Sequence, residues 1–540
     1  MLLKNSIINI NEFFLITLNQ IRKFYLKSTV YDKKISKFIK SNIKYKPTSN
    51  ILNCLIKYDK QKIKIDKILE NNIWENEKYN NSFNKLNSFF WICSIDLKSS
   101  NQITQSIIES WIKKNQSYNS KTWEIDILSK RVISWIFNSK ITYEGAGENY
   151  KEKFDNVINK QINHLINEIN RSTSVNNKLI GCSAIILCGL AYKNDKYLDY
   201  GLNLLKKIIN SSFENDYFPK TRNLRQLVFY LKYFVFIRDL LKDSFTEIPN
   251  HLDEIIFYLG KSYVVFYGKE KKALFNGSQE MQVKYFDQYL DQHGYNFKCS
   301  ENELGGYAIL ENKNSILMMD IGSSPKKKYS ENYQSGILSF ELSYKGEKLI
   351  TNCGYFQNFK NELNLVSRSS AAHSTLIVDN KSSCSFSTYL KKSNRINIGA
   401  KILEKKIIKK KDYWNIKASH SGYLENYGIL HERMIEYYNE KFELYGTDKL
   451  KKKENFKSTK FDIRFHFLPG TKLTKTQDNK TVLIELKNSG WKFYCNIGTI
   501  NIDNGLYFGN KNKFVENQNI CVTGITRDEE QIIKWELNKI

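Results

Sequence analysis

The periodicity of the apolar residues changes once along this 540-residue chain, near Gly268. Before that point apolar residues recur at the spacing of one helix face, and one such stripe comprises Leu224, Leu227, Val228, Leu231 and Val235. After it, Gly, Asn and Ser turns separate short runs that alternate apolar and polar residues, as half-buried strands do. We therefore expect an α+β chain of two domains, helical first and an antiparallel β-sandwich second, with the boundary between residues 268 and 305.

Eight segments of the first part have helical periodicity: residues 83–95, 102–114, 127–138, 151–170, 178–192, 197–211, 222–242 and 251–266. The stretch LIGCSAIILCGLA at 179–191 is apolar on all sides, so its helix should be enclosed. Long helices with short connections favour helical hairpins stacked in an arc or ring. The predicted parts are an N-terminal helical and extended segment at 1–80, an incomplete (α/α) toroid at 81–270 and a β-sandwich at 271–540.

The formal net charge is +27, mostly from lysine spread along a chain that is also rich in Asn and Ile. This excess has two explanations, broad compositional bias or a basic surface that attracts an acidic partner. No zinc-finger spacing and no RNA-binding aromatic motif accompanies the lysines. We therefore predict no nucleic-acid partner and leave the other acidic polymers open.

Nine cysteines lie far apart without a CxxC pair, which argues against a disulfide framework and against a cysteine-based zinc site. No stretch reaches the roughly 18 apolar residues that a membrane span needs. The apolar run at 13–18 continues into a helix-like segment without a small-residue cleavage site. We therefore expect no integral membrane segment and see no signal peptide, while the oligomeric state stays open.

The densest chemistry of the sequence lies between residues 333 and 380. Alternation at 338–343 predicts one strand, and shorter strands are expected at 348–352 and 374–378. This places His373 at a junction between a loop and a strand. If the three strands are adjacent, Gln334, Asn352 and Arg368 should converge on His373.

The turn RSSAAHSTLIVDN at 368–380, together with the helical half and the sandwich half, resembles the heparinase II/III-like polysaccharide lyase family. KRVISWIF at 130–137 and NNKLIGCSAIILCGL at 176–190 look like two helices of that family. The motifs of the second half follow in family order: LFNGSQE, GGYAIL, MMDIG, ILSFELS, NCGYF, AAHSTLIVDN, SHSGY, LHER and IRFHFLPG. The resemblance extends from about Trp91 to the C-terminus.

The resemblance implies β-elimination on an acidic, uronate-containing polysaccharide in a cleft between the two domains. A group must neutralise the uronate carboxylate, a base must take the neighbouring proton, and an acid must protonate the leaving oxygen. Family position makes Asn176 or Asn177 the candidate neutraliser. His373 matches the histidine of the family turn, which is a zinc ligand in metal-containing relatives and otherwise lines the cleft.

This chain departs from the family pattern at three places. Gln334 stands where the family has a histidine, and glutamine cannot act as an acid or base. Asn352 stands where an aspartate is expected, so we predict no zinc, and no other cofactor is implied. The stretch at 220–225 lacks the expected tyrosine, which leaves Tyr217 and Tyr333 as substitutes, although Arg222 and Arg225 could bind carboxylates or sulfates.

Several residues keep two interpretations. His373 either lies in the cleft or makes a structural hydrogen bond within its turn. Arg368, His420 and His431 either contact the substrate or have a structural role. Asn176 and Asn177 fit a helix N-cap equally well.

The predicted function is a polysaccharide lyase, and the alternative is a non-catalytic acidic-polysaccharide binding or assembly protein. A glycoside hydrolase is a third option, but no flanking carboxylate pair stands out. The family favours the cell envelope or periplasm, whereas the absence of a visible signal favours the cytoplasm.

Overall fold

The computed structural model describes residues 17–37, 42–48, 51–56, 74, 80–94, 101–268, 271–358, 361–387, 395–454, 456–510, 513–527 and 530–540. Two compact units comprise Met1–Ser211 with Tyr230–Ile256, and Ser212–Phe229 with Phe257–Ile540. Much of the predicted segment at 1–80 lies outside the described residues. The first unit is helical and the second is dominated by antiparallel strands, which confirms the predicted fold class.

Besides a helical stretch at 17–26, the helices of four or more residues in the described part of the chain are α1 (Thr29–Ile35), α2 (Ile51–Ile56), α3 (Asn80–Ser88), α4 (Asn101–Asn115), α5 (Ile125–Phe137), α6 (Ser139–Thr142), α7 (Glu148–Glu168), α8 (Val175–Tyr192), α9 (Asp195–Ser212), α10 (Leu224–Asp243), α11 (Asn250–Phe266), α12 (Lys284–Gln292), α13 (Leu363–Arg368) and α14 (Leu424–Tyr427). Each of the eight predicted segments coincides with one of these helices to within a few residues, except the first. There Phe89 adopts a positive φ of 57°, which ends α3 and starts a 3₁₀ turn at Phe90–Ser94.

Helix α8 is the buried centre of the helical unit, as its apolar sequence predicts. Every residue from Leu179 to Tyr192 is buried. Gly189 allows close packing against α9, because a Cβ there would lie 2.7 Å from the Leu198 backbone nitrogen. Among the described residues, α8 is the one helix long and apolar enough to cross a membrane, and 78% of it is buried inside the protein. Burial of this kind is typical of a core helix.

The strands are β1 (Glu303–Leu304), β2 (Tyr307–Glu311), β3 (Ser315–Asp320), β4 (Phe340–Tyr344), β5 (Glu347–Ile350), β6 (Leu376–Val378), β7 (Ser385–Phe386), β8 (Ile396–Ile398), β9 (Ile402–Lys409), β10 (Tyr413–Tyr423), β11 (Ile429–Tyr438), β12 (Glu443–Lys452), β13 (Lys460–His466), β14 (Lys472–Lys475), β15 (Thr481–Glu485), β16 (Gly490–Cys495), β17 (Thr499–Tyr507), β18 (Val515–Ile525) and β19 (Gln531–Lys539). Among the described residues they form a five-stranded sheet β1-β2-β3-β4-β5, an eight-stranded sheet β14-β15-β16-β19-β12-β11-β10-β9, a four-stranded sheet β17-β18-β13-β6 and a pair β7-β8.

One hydrophobic core joins the three larger sheets. Phe340 of β4 stacks on Trp535 of β19 with ring centroids 5.5 Å apart. Gly446 lies opposite Trp535 in the register, where a Cβ would lie 2.0 Å from the indole ring. The large ring therefore fills the space that glycine leaves, and the sheets pack face to face as in a sandwich.

The strands expected around His373 form, but they do not all lie in one sheet. The first begins at Phe340, because Leu338 has a φ of 57° and belongs to the preceding turn. Strands β4 and β5 pair, whereas β6 pairs with β13 in the four-stranded sheet. A bridge between Thr351 and His466 connects the end of β5 to β13, which brings β5 close to β6.

Candidate functional site

His373 follows the 3₁₀ turn Ser370–Ala372 and begins the extended segment that leads to β6. Its Nδ1 lies 2.8 Å from the Ser369 carbonyl oxygen, which can only accept, so Nδ1 carries the proton. Nε2 then has a free lone pair, and no described residue makes a hydrogen bond to it although the side chain is only 1% exposed. Burial lowers the pKa of His373 to about 4, so the ring is neutral near pH 7.

Gly336 lies against the His373 ring. A Cβ at Gly336 would lie 2.6 Å from Cδ2 and 3.1 Å from Nε2 of the histidine. The backbone of this turn therefore covers the edge of the imidazole that carries the free nitrogen, and only glycine fits there without movement.

Two hydrogen bonds join the segments that carry Gln334, Asn352, Arg368 and His373. The Ser335 N–H donates to the Arg368 carbonyl at 2.9 Å. The Ser374 N–H donates to Asn352 Oδ1, also at 2.9 Å. The structure thus brings together the four segments whose convergence was expected, through loops and a bridge between sheets.

Gln334 uses its side chain to connect loops. Its Oε1 accepts from the Gly277 N–H at 2.7 Å. Its Nε2 donates to the carbonyls of Gly354 (3.0 Å) and Ser367 (2.6 Å). Both amide hydrogens of Gln334 are therefore used in hydrogen bonds within the protein. None is left to donate to a substrate, which argues against the expected substrate contact.

Asn352 differs from Gln334 because one of its polar atoms is unused. Its Nδ2 is buried and has no partner. Within the described part of the chain, no group of three or more His, Cys, Asp or Glu residues could hold a metal ion. Gln334 and Asn352 supply amides where a zinc site would need ionisable ligands.

Arg368 braces the loop that carries His373. Its Nε donates to the Tyr333 carbonyl at 2.8 Å and its Nη2 to the Ser330 carbonyl at 3.2 Å. Its guanidinium lies over the Phe386 ring, 4.1 Å from the centroid. These contacts support the structural interpretation, although Nη1 is buried without a partner among the described residues.

Tyr333 is buried, and its hydroxyl has no partner. Burial raises the pKa of Tyr333 well above its usual value, so the hydroxyl keeps its proton at neutral pH.

Arg222 and Arg225 have different environments. Arg222 pairs with Asp320 at 2.7 Å and donates to the carbonyls of Gly305, Gly306 and Gly322, so its guanidinium is occupied. Arg225 is half-buried, has no hydrogen bond or ion pair with any described residue, and lies 5.7 Å above the Tyr355 ring. Burial lowers the pKa of Arg225, which means that its charge is incompletely solvated. An arginine in this state is suited to bind a carboxylate or sulfate.

Tyr355 is held in place beneath Arg225. Its hydroxyl donates to Asn332 Oδ1 at 2.9 Å and accepts from Asn364 Nδ2 at 3.1 Å. The ring therefore forms a fixed platform for the guanidinium.

Asn176 and Asn177 lie in the first turn of α8 in the helical unit, where both are half-buried. The N-cap is Ser174, whose Oγ accepts from the Asn177 N–H at 3.3 Å. The capping interpretation of the two asparagines is therefore wrong, because the cap lies two residues before Asn176 and three before Asn177. The Asn177 side chain makes no hydrogen bond with another described residue.

His420 and His431 belong to a buried network between strands. The Gly422 N–H donates to His420 Nδ1 (3.0 Å), His420 Nε2 donates to His431 Nδ1 (3.0 Å), and His431 Nε2 donates to Asp448 (2.7 Å). Arg433 also donates to Asp448 at 2.7 and 3.0 Å. All four imidazole nitrogens are used, so the geometry favours the structural interpretation over substrate contact.

The sequence analysis missed Tyr355 and Asp448. A signal for Asp448 exists, since it falls on the apolar face of β12 between Leu444 and Leu450, where a carboxylate needs a buried partner. Tyr355 offers no comparable signal, because only the fold places it under Arg225.

Residues 300–536 match the family model described as "Heparinase II/III-like, C-terminal". A mutant of the heparan sulfate lyase HepC from Pedobacter heparinus has a similar structure, with a TM-score of 0.65, 13% identity, and coverage of 94% of this chain and 87% of that chain. A heparinase III gene product has a TM-score of 0.67 and 14% identity, with coverage of 91% of this chain and 88% of that chain. Another heparinase III structure has a TM-score of 0.65 and 13% identity, with coverage of 86% of this chain and 77% of that chain. No curated protein matches.

At these identities the structural matches establish a shared fold, an (α/α) toroid followed by a β-sandwich. The family match adds the sequence pattern of the second part. Residues 300–536 therefore carry the sequence pattern of the heparinase II/III-like family, and the chain has the fold of the heparinase III structures.

Proposed function

We propose that this protein is a lyase that cleaves an acidic, uronate-containing polysaccharide by β-elimination. Its fold is that of polysaccharide lyases, and one similar structure is titled a heparan sulfate lyase. The observation that carries the proposal is Arg225, a half-buried cation above Tyr355 without a partner among the described residues.

Arg225 has the chemistry to neutralise a uronate carboxylate. The guanidinium offers two parallel N–H groups to a carboxylate, and incomplete solvation strengthens that interaction. Neutralisation makes the proton next to the carboxylate more acidic, which is the condition for removing it. Asn177, whose side chain is not needed for capping, is the second candidate for this role.

His373 is the proposed base. Its ring is neutral above pH 4 and its Nε2 lone pair has no partner. In the reaction Nε2 takes the proton from the carbon beside the carboxylate, the electron pair forms a carbon–carbon double bond, and the bond to the leaving oxygen breaks. Because the ring is buried, the turn at Gly336 must open when substrate binds.

The leaving oxygen then needs a proton. Tyr333 keeps its hydroxyl proton at neutral pH and uses it for no other contact, so it is the proposed acid. The location in the cell envelope belongs to this proposal as well, and cell fractionation with an antibody tests it.

The test is the ultraviolet absorbance of the unsaturated uronate product on a panel of uronate polysaccharides. Arg225→Gln should lower kcat/KM by about 10²-fold, because a carboxylate neutraliser acts mainly in the transition state. Arg464→Gln is the matched control, since that arginine is also half-buried in the second unit but pairs with Asp503.

Equal losses in the two arginine variants would contradict the role of Arg225. No absorbance rise on any substrate, with polysaccharide binding still measurable, would overturn the lyase proposal and leave a binding protein.

A further inference from the structure

The second unit contains a large groove that none of the residues discussed so far lines. Its volume is about 930 Å³, and its lining comes from strands β3 and β4, the segment 271–273, the turn at 346–348, the loop 468–472, the hairpin end at 485–487 and Tyr507. We call it the β3–β4 groove.

The floor of the groove is the outer face of the five-stranded sheet. Ile316 is paired with Ser343 and Met318 with Glu341 in the β3–β4 register, and all four line the groove. Alternate residues such as Leu342 point into the sandwich core instead. The groove therefore lies on the side of this sheet that the sandwich leaves uncovered, away from the His373 turn.

The carboxylates of the groove already have partners. Glu341 accepts from the backbone N–H groups of Leu274 and Asn352, and it pairs with Lys348 at 2.9 Å. Glu280 accepts from the Tyr507 hydroxyl at 2.6 Å and pairs with Lys272.

The cations of the groove retain unused donors. Each ammonium has three N–H groups, and among the described residues Lys472 pairs only with Glu485, at 3.3 Å. Lys487 is exposed and has no ion pair with a described residue. The lining therefore has unused donors for anions and an apolar strip at Ile316 and Met318, which suits sugar rings that carry acidic groups.

We propose that the β3–β4 groove is a second binding site for the acidic polysaccharide, which holds a segment of the chain remote from the bond that is cleaved. The inference rests on the proposed function for the identity of the ligand. A volume near the upper end of ligand pockets fits several sugar units better than one. Two sites on one polymer raise the affinity for long chains over short ones.

The test measures binding separately from turnover. Size-fractionated heparan sulfate, chondroitin sulfate and alginate are titrated into the His373→Ala protein, with and without Lys472→Glu and Lys487→Glu. The double change should weaken binding of long chains by about five- to tenfold and flatten its salt dependence, because two rim cations become anions. Lys406→Glu is the matched control, an exposed lysine on β9 outside the groove.

Lysine acetylation read by mass spectrometry gives a second readout on the unaltered protein. Long chains should protect Lys472 and Lys487 but leave Lys406 reactive. Equal protection of all three lysines, or equal affinity losses in the groove and control variants, would overturn the groove site. If no substrate is cleaved but the groove lysines are still protected, the lyase proposal fails and the groove site stands.

Discussion

Two histidine environments of the β-sandwich unit differ in one respect. His373 and the pair His420–His431 are all buried, and burial lowers the pKa of each ring. In the pair every ring nitrogen has a hydrogen-bond partner, whereas Nε2 of His373 has none. Burial and pKa direction therefore do not separate a chemical histidine from a structural one, but the unused lone pair does.

Arg433 links the two environments. It is held by Asp448 and donates to the carbonyls of Leu338 (2.9 Å) and Ser374 (2.8 Å). We call the fully hydrogen-bonded group of His420, His431, Arg433 and Asp448 the closed network, and His373, whose Nε2 is unused, the open histidine. The closed network supports the backbone near the open histidine through Arg433. The two environments should therefore respond differently to substitution.

The largest expected effect is on the closed network. Asp448→Ala removes the acceptor of Arg433, His431 and the Trp535 indole, and leaves a buried cation uncompensated. The free energy of unfolding in denaturant should fall by about 3–5 kcal/mol. Asp503→Ala removes the partly exposed partner of Arg464 and should cost less than about 1 kcal/mol. Similar costs for the two variants would contradict a closed supporting network.

The next effect separates activity from stability. His373→Gln should lower kcat/KM by about 10²–10⁴-fold, as loss of a general base does, while denaturant unfolding changes less than in His431→Gln. His431→Gln should lose stability but keep activity per folded molecule. If both variants lose activity in proportion to folded protein, His373 has no chemical role.

The pH dependence of the unfolding free energy tests whether His373 is buried as a neutral ring. The pKa of His373 is about 4 in the folded protein and 6.5 as the unperturbed value, so the unfolded chain binds more protons between these values. Its contribution is fully present above pH 6.5 and falls by about 1.4 kcal/mol per pH unit as pH drops toward 4. Between pH 4 and 6.5, His373→Gln should reduce the slope of unfolding free energy against pH by the amount that one bound proton contributes, about 1.4 kcal/mol per pH unit. An unchanged slope would mean that the ring is solvated.

The smallest expected effect concerns the cover of the open histidine. Gly336→Ala places a methyl group 2.6 Å from His373 Cδ2 and should cost about 1–2 kcal/mol of stability. Gly490→Ala is the control, because a Cβ there has nothing closer than 3.9 Å. Thermal unfolding of the two variants measures the difference, and equal melting temperatures would show that the ring and the turn are not in contact.

Local pattern was enough to predict most of the elements. The helical repeat places α4, α5 and α7–α11 within a few residues of their ends, because an amphipathic stripe and its flanking polar residues define a helix locally. The α3 segment is the exception, since Phe89 has a positive φ that apolar periodicity does not predict. Motif order also predicted the family pattern that residues 300–536 match. The resemblance alone could not decide which polar side chains already have hydrogen-bond partners within the protein.

By itself the sequence determined the two-part architecture and the enclosed helix α8, since these follow from apolar periodicity and from the order of the motifs. Only the tertiary structure decided that the polar groups of Gln334 and Arg222 all have partners, while Arg225, His373 Nε2 and Arg368 Nη1 have none among the described residues. The physical reason is that a hydrogen-bond partner is a neighbour in space, often far away in sequence, and residue type does not reveal it.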